Sequence, residues 1–135
     1  MCMSYTVAIF GEAEKGEFSA LNTITSPAQL NDTFGAPPIG SEGISIAMQF
    51  LLFKKQVIFL RVNEEGFSLE NYFQGLYLLE KKEDLPKITA LCLPGVGDHV
   101  ILEACDAFCN IHNALIISSQ KDLFDYLTSR KHHKK

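Results

Sequence analysis

The chain has 135 residues, 47% hydrophobic and 21% charged, proportions that exclude a disordered segment or a fibrous repeat and leave one compact domain. At this length roughly two thirds of the unfolded surface is buried on folding, so stability requires neither disulfides nor a structural metal. The formal net charge is −4; Arg130, Lys131, Lys134 and Lys135 stand together at the end, so residues 1–129, with eight of the 12 basic residues against all 16 acidic ones, carry −8. An acidic body without a basic stripe is a poor match for a phosphate backbone, which argues against nucleic acid as a partner.

Residues 1–129 read as a single domain, and 130–135, RKHHKK, as a basic, solvated and disordered tail. The longest apolar run, Ile44 to Phe53, is about half of the ~20 residues a bilayer span needs and contains Ser45 and Gln49, so no membrane helix is expected. The opening MCMSYTVAIFGEAEKGE has no basic n-region, which predicts no signal peptide and a cytoplasmic protein. Cys2, Cys92, Cys105 and Cys109 show no CxxC spacing and are expected to be reduced, mostly buried thiols.

Tyr5 to Phe10 is a short apolar strand ending at Gly11, followed by the polar loop EAEKGEFS. Ser26-Pro27 opens a helix with a Ser N-cap and Pro at its first position, and SPAQLNDTF stops at Gly35 before Pro37-Pro38. From Gly43, ISIAMQFLLFKK places Ile46, Ala47, Phe50, Leu51 and Lys54 along one helical face, ahead of an apolar strand from Val57 to Val62. Ser68 is a candidate cap for LENYFQGLYLLEKKED, whose stripe is Leu69, Tyr72, Phe73, Leu76, Leu79 and Glu80. Ile88 to Leu93 is a third strand running into Pro94-Gly95-Val96-Gly97. Asp98 then caps a helix with the stripe Ile101, Ala104, Cys105, Phe108 and His112. Ala114 to Ile117 is a fourth strand, and a last helix runs from Ser119 or Gln120 through Leu123, Phe124 and Leu127.

Strands alternating with helices, three of them unbroken apolar runs, predict a three-layer α/β domain. Its sheet should be mostly parallel, of about four or five strands, with helices on both faces. Ligands of such folds collect beyond the C-terminal strand ends. There the loop PGVGDH offers a candidate anion site at Gly95, Val96 and Gly97, where glycines before a helix let amides approach a negative group. It has no P-loop lysine or third glycine, Asp98 adds negative charge, and a plain turn is the favoured reading. Cys105, Cys109 and His112, with His99, have ligand chemistry at helical spacing, but the same residues form the core stripe, so no metal is expected. A buried thiol without cationic neighbours holds little thiolate. No GxSxG is present, and Asp98, His99, Ser118 and Ser119 are polar residues of the kind any such fold carries at its strand ends. Glu64-Glu65 and Glu12-Glu14 read as exposed loop charges without an apolar environment to shift a pKa. No catalytic residue and no cofactor is expected, and function is assigned to the surface.

The order of these segments resembles the core α/β domain of contractile phage tail sheath proteins. VAIFGEAEKGEFSALNTITSPAQLNDTFG (Val7 to Gly35) is similar to that family's opening: a strand ending in Gly, a KG loop, an ITS strand end and a short helix closing in FG. ISIAMQFLLFKKQVIFLRV (Ile44 to Val62) resembles its helix and RV strand, and GLYLLEKKEDLPKITALCLPG (Gly75 to Gly95) its helix, strand and PG turn. The resemblance implies a non-enzymatic virion or injection-device component that self-assembles or binds sheath and tube proteins. It further implies terminal arms that add strands to neighbouring sheets. Here the first strand begins near Tyr5, leaving almost no arm, and the insertion after the RV strand is reduced to about Asn63 to Gly66. Two alternatives stay open: a sheath-derived adaptor that does not polymerise, and a flavodoxin-like small-ligand domain using Gly95, Val96 and Gly97.

Overall fold

A computed structural model describes residues 6–18, 20–53, 55–82, 85–118 and 120–128. Its elements follow in the order β1 (Thr6–Gly11), β2 (Asn22–Ile24), α1 (Pro27–Phe34), α2 (Gly43–Leu52), β3 (Gln56–Arg61), α3 (Leu69–Lys81), β4 (Ile88–Cys92), α4 (His99–His112), β5 (Leu115–Ile117) and α5 (Gln120–Thr128). The strands form one sheet ordered β2-β3-β1-β4-β5. β1, β3, β4 and β5 are parallel, and β2 runs antiparallel to β3. The expected α/β architecture is thus present, and β2 is the element that the apolar pattern does not announce, since three residues are too few to establish an alternation.

Strand side chains point alternately to the two faces, and both faces are covered. Val7 and Ile9 of β1, Val57 and Phe59 of β3, and Ala90 and Cys92 of β4 meet α1, α2 and α5 through Leu30, Phe34, Phe50 and Leu123. Ala8, Phe10, Ile58, Leu60 and Leu91 meet α3 and α4 through Tyr72, Leu76, Ile101, Cys105 and Phe108. One wet face would have demanded alternating polar residues; two dry ones explain the continuous apolar runs. Ile88 and Leu91, three residues apart, share a face because the register slips between Thr6 and Val7, which pair with Ile88 and Ala90. Thr89 is the extra residue, and its hydroxyl donates to the Thr6 carbonyl at 3.1 Å.

The helix ends follow their caps. Ser26 accepts from the Gln29 amide, with Pro27 at the first helical position. Asp98 accepts from the Val100 and Ile101 amides at 2.8 and 3.3 Å. Ser68 precedes α3 but makes no side-chain cap bond; its hydroxyl turns back to Glu64, donating to the carbonyl at 2.9 Å and accepting from the amide at 2.5 Å. In α3 the buried stripe is Tyr72, Gly75, Leu76 and Leu79, and Phe73 is exposed. The reason is Gly75: a Cβ there would come within 2.5 Å of the Phe10 ring and 2.8 Å of Leu60, so α3 lies with its glycine against the sheet and Phe73 turns outward. Phe124 of α5 is also exposed, whereas Leu123 is buried. Lys54, Ser119 and the basic segment 130–135 lie outside the described residues.

Candidate functional site

The parallel strands, numbered in chain order, lie second-first-third-fourth across the sheet, so the direction of winding reverses between β1 and β4. The loops leaving such a point diverge and open a crevice. Here a cavity of about 360 Å³ is lined by Glu12, Gly40, Glu42, Glu64, Glu65, Phe67 and Gly95. Its floor depends on a close crossing: a Cβ on Gly11 would sit 2.8 Å from the Gly43 Cα, so the end of β1 and the start of α2 touch backbone to backbone. A second contact joins the turns after β3 and β4, because a Cβ on Gly66, at φ +90°, would meet the Gly95 carbonyl oxygen.

Glu65 organises this crevice. Its Oε2 accepts from the amides of Glu12 at 2.9 Å and Gly43 at 2.8 Å, and its Oε1 accepts from the Glu42 amide at 2.9 Å. Glu12 reciprocates, its Oε2 accepting from the Glu65 amide at 3.0 Å. The first amides of a helix have no partner within the helix and carry partial positive charge, and α2 has no side-chain cap of its own. A carboxylate brought from another loop therefore serves as its cap. Burial pushes the Glu65 carboxyl above its ordinary value, the three amides pull it back, and the Glu12 carboxylate adds to the rise. The Tyr72 hydroxyl, buried beneath, accepts from the Gly66 amide at 2.7 Å and fixes the turn; burial raises its phenol above the usual range.

Glu64-Glu65 and Glu12-Glu14 are expected to be exposed loop charges without an apolar environment; Glu14 and Glu64 are exposed, whereas Glu12 and Glu65 are half-buried and burial acts on Glu65, which corrects the expectation there. Glu65 is partly buried and holds three amides, and Glu14 accepts from the Ala36 amide at 2.9 Å just past α1. The partners are 22 to 53 residues away in sequence, so spacing along the chain could not pair them. A usable signal existed all the same: Glu12 and Glu65 follow two predicted strands whose C-terminal ends a parallel sheet brings side by side.

At the candidate anion loop, the Val96 amide donates to the Leu93 carbonyl at 3.3 Å, closing a turn around Gly95 at φ +78°. Gly97 has open space around it, and the first amides of α4 are taken by Asp98. Cys105 and Cys109 point into the core, where burial pushes their thiols up to about 12 and about 11. The His112 ring lies tilted against Phe108 and meets Glu80 at 3.0 Å, and His99 pairs with Glu103 in solvent at 2.9 Å. Among the described residues no group of three or more His, Cys, Asp or Glu converges to hold a metal. Among them, too, no helix is long and apolar enough to cross a membrane.

The outer surface carries the rest. β5 forms one edge of the sheet, with Leu115 half exposed, and Ile111 and Phe124, on the helices before and after it, are exposed at 70% and 66%. On the outside of α3 a groove of about 600 Å³ is lined by Phe18, Glu70, Asn71, Phe73, Gln74 and Tyr77. The Arg61 guanidinium lies 4.2 Å from the centre of the Phe18 ring and donates to the Gly16 carbonyl.

These features define a doubly wound α/β domain whose switch-point amides are occupied by its own carboxylate. Compared with known proteins, the chain matches no family model, no curated protein and no solved structure.

Proposed function

We propose that this chain is a non-enzymatic structural protein of the contractile tail-sheath kind, working through contact with copies of itself or with sheath and tube subunits. The order of motifs from Val7 to Gly95 motivates the reading, and the observation that supports it best is the β5 edge. Leu115, Ile116 and Ile117 offer a short apolar strand with neither lysine nor proline nor bulge to discourage pairing. The opposite edge, β2, presents Asn22 and Thr23 instead. An apolar edge that no other strand covers among the described residues, rimmed by exposed hydrophobic side chains, is suited to adding a strand or a second sheet.

The test is sedimentation velocity over a concentration series with negative-stain microscopy, for the wild type and Leu115→Lys. Rings, tubes or discrete oligomers that Leu115→Lys disperses, with its circular dichroism unchanged, are the expected outcome. Binding to sheath subunits without self-assembly would identify the adaptor form. A wild-type chain that stays monomeric at high concentration and binds neither sheath nor tube proteins would overturn the proposal.

A further inference from the structure

The crevice and the α3 groove are joined. Between them lies a third depression, lined by Asn63, Glu64, Ser68, Leu69, Glu70 and Asn71. It shares Glu64 with the crevice and Glu70 and Asn71 with the groove. The three make one belt running from the C-terminal strand ends over the start of α3 and along its outer face. Five glutamates line it: Glu12, Glu42, Glu64, Glu65 and Glu70. Four exposed aromatic rings stand along it, Phe18 at 47%, Phe67 at 69%, Phe73 at 40% and Tyr77 at 56% exposure. Among the described residues, Arg61 is held against Phe18 and the Gly16 carbonyl, and the Lys81 ammonium sits 5.5 Å from the Tyr77 ring at the far end. Acidic groups interleaved with exposed rings suit a segment rich in lysine and arginine, which gains both ion pairing and cation–π contact.

The chain itself contains one such segment. Residues 130–135, RKHHKK, carry four positive charges against −8 on the remainder. We infer that the belt on one copy receives residues 130–135 of a second copy, so that subunits associate head to tail. This deepens the self-association proposed above and rests on it. A contact in trans follows from reach. α5 packs through Leu123 and Leu127 on the α1/α2 face of the sheet, whereas α3 packs on the opposite face over β1 and β3. From the β5 edge to β3 is three strand spacings, about 14 Å, and the segment must also pass round the sheet to its other face. Seven extended residues span at most about 24 Å, more than half of which that lateral distance takes up before the path round the sheet is added, which favours the belt of a second copy. A surface that takes the tail of the next copy while offering its own tail onward is heterologous, and it propagates into rings or filaments instead of closing as a pair.

The experiment is a charge swap on the full chain. One variant replaces Arg130, Lys131, Lys134 and Lys135 by Glu, and the other is Glu64→Lys with Glu70→Lys, both at exposed positions. The wild type is expected to associate at low salt and to weaken by about tenfold or more near 0.5 M salt, as screening predicts. Each variant alone should lose that salt-dependent association, and an equimolar mixture of the two should recover it. Tail-reversed protein that associates like wild type, or a mixture without recovery, overturns the inference. So does a tail that crosslinks to the belt within its own monomer. The two proposals separate cleanly: loss of association in Leu115→Lys with no effect of tail reversal keeps the β5 edge and rejects the belt. Absence of wild-type association at any salt rejects both.

Discussion

Glu65 is the residue whose replacement tests the description of the crevice most directly. Glutamine keeps the size of the side chain and one acceptor oxygen. Oriented to serve the Glu12 and Gly43 amides, as Oε2 does now, it places its own amide against the Glu42 N–H, donor facing donor. One charge-assisted hydrogen bond, about 1.5–3 kcal/mol, is lost outright, and the other two become neutral ones of about 1 kcal/mol each. Relief of the buried charge offsets part of this, as does water entering the open crevice. Glu65→Gln should therefore cost about 1–2 kcal/mol and Glu65→Ala, which strands all three amides, about 2–4 kcal/mol. The pH dependence has a definite sign. Folding raises the Glu65 pKa, so on acidification the folded state takes up this proton before the unfolded chain does. The contribution of Glu65 is fully present below the ordinary carboxylate value of about 4.3 and is lost as pH rises through the folded value. The gap between wild type and Glu65→Gln should widen as pH falls through that window. Urea unfolding followed by far-UV circular dichroism at a series of pH values measures the gap, and hydrogen exchange should show the Glu42 amide losing protection ahead of the other two. Equal stability of the two proteins with an unchanged Glu42 amide would refute the capping role of this carboxylate.

Gly75→Ala should destabilise in spite of the better helix propensity of alanine. The added Cβ meets the Phe10 ring at 2.5 Å, an overpacking cost of about 1–3 kcal/mol against a propensity gain of about 1 kcal/mol. Gly97→Ala, with open space around it, should change stability by no more than about 0.5 kcal/mol; thermal melts compare the two. Removing the α4 cap with Asp98→Ala should cost about 1 kcal/mol, read from the midpoint of urea unfolding. Thiol alkylation at pH 8, mapped by mass spectrometry, should leave Cys92, Cys105 and Cys109 unmodified until urea is added, since all three are buried and the thiols of Cys105 and Cys109 are pushed up to about 12 and about 11.

The sequence announces what periodicity can carry. The apolar runs at Tyr5–Phe10, Val57–Val62 and Ile88–Leu93 are legible as strands buried on both faces, and Ser26, Pro27 and Asp98 mark helix starts because capping is local chemistry. Phe73 was assigned inward by its spacing, yet the angular choice between Phe73 and Gly75 depends on how near Phe10 and Leu60 stand, a fact of the sheet and not of the helix. β2 escaped the apolar pattern for want of length, although the ITS strand end of the resemblance begins at its last residue, Ile24. The acidic residues were illegible for a different reason. A carboxylate that caps a helix from its own N-cap position leaves a local signature, as Asp98 does; one delivered from a loop 22 residues on leaves only the coarser clue that its strand end lies beside another. Glu65 also stands beside Glu64, whose side chain is exposed, and nothing in the pair distinguishes the structural acid from the solvated one.

The position of Glu65 bears on how the whole surface should be understood. In a doubly wound sheet the switch-point crevice is where a phosphate or carboxylate ligand meets helix amides. Here the amides of Glu12, Glu42 and Gly43 converge as they would on such a group, but the group belongs to the chain. A ligand anion would have to displace Glu65 and then sit among Glu12, Glu42 and Glu64, against charge repulsion that the crevice geometry concentrates. The same carboxylates that repel an anion favour a cationic segment laid along the outside, because a lysine or arginine can approach them without breaking the hydrogen bonds that hold the turn. Glu65 is thus placed to act inward as a cap and outward as charge, and Glu65→Gln should weaken the proposed low-salt association through residues 130–135 while leaving the proposed contact through Leu115 intact.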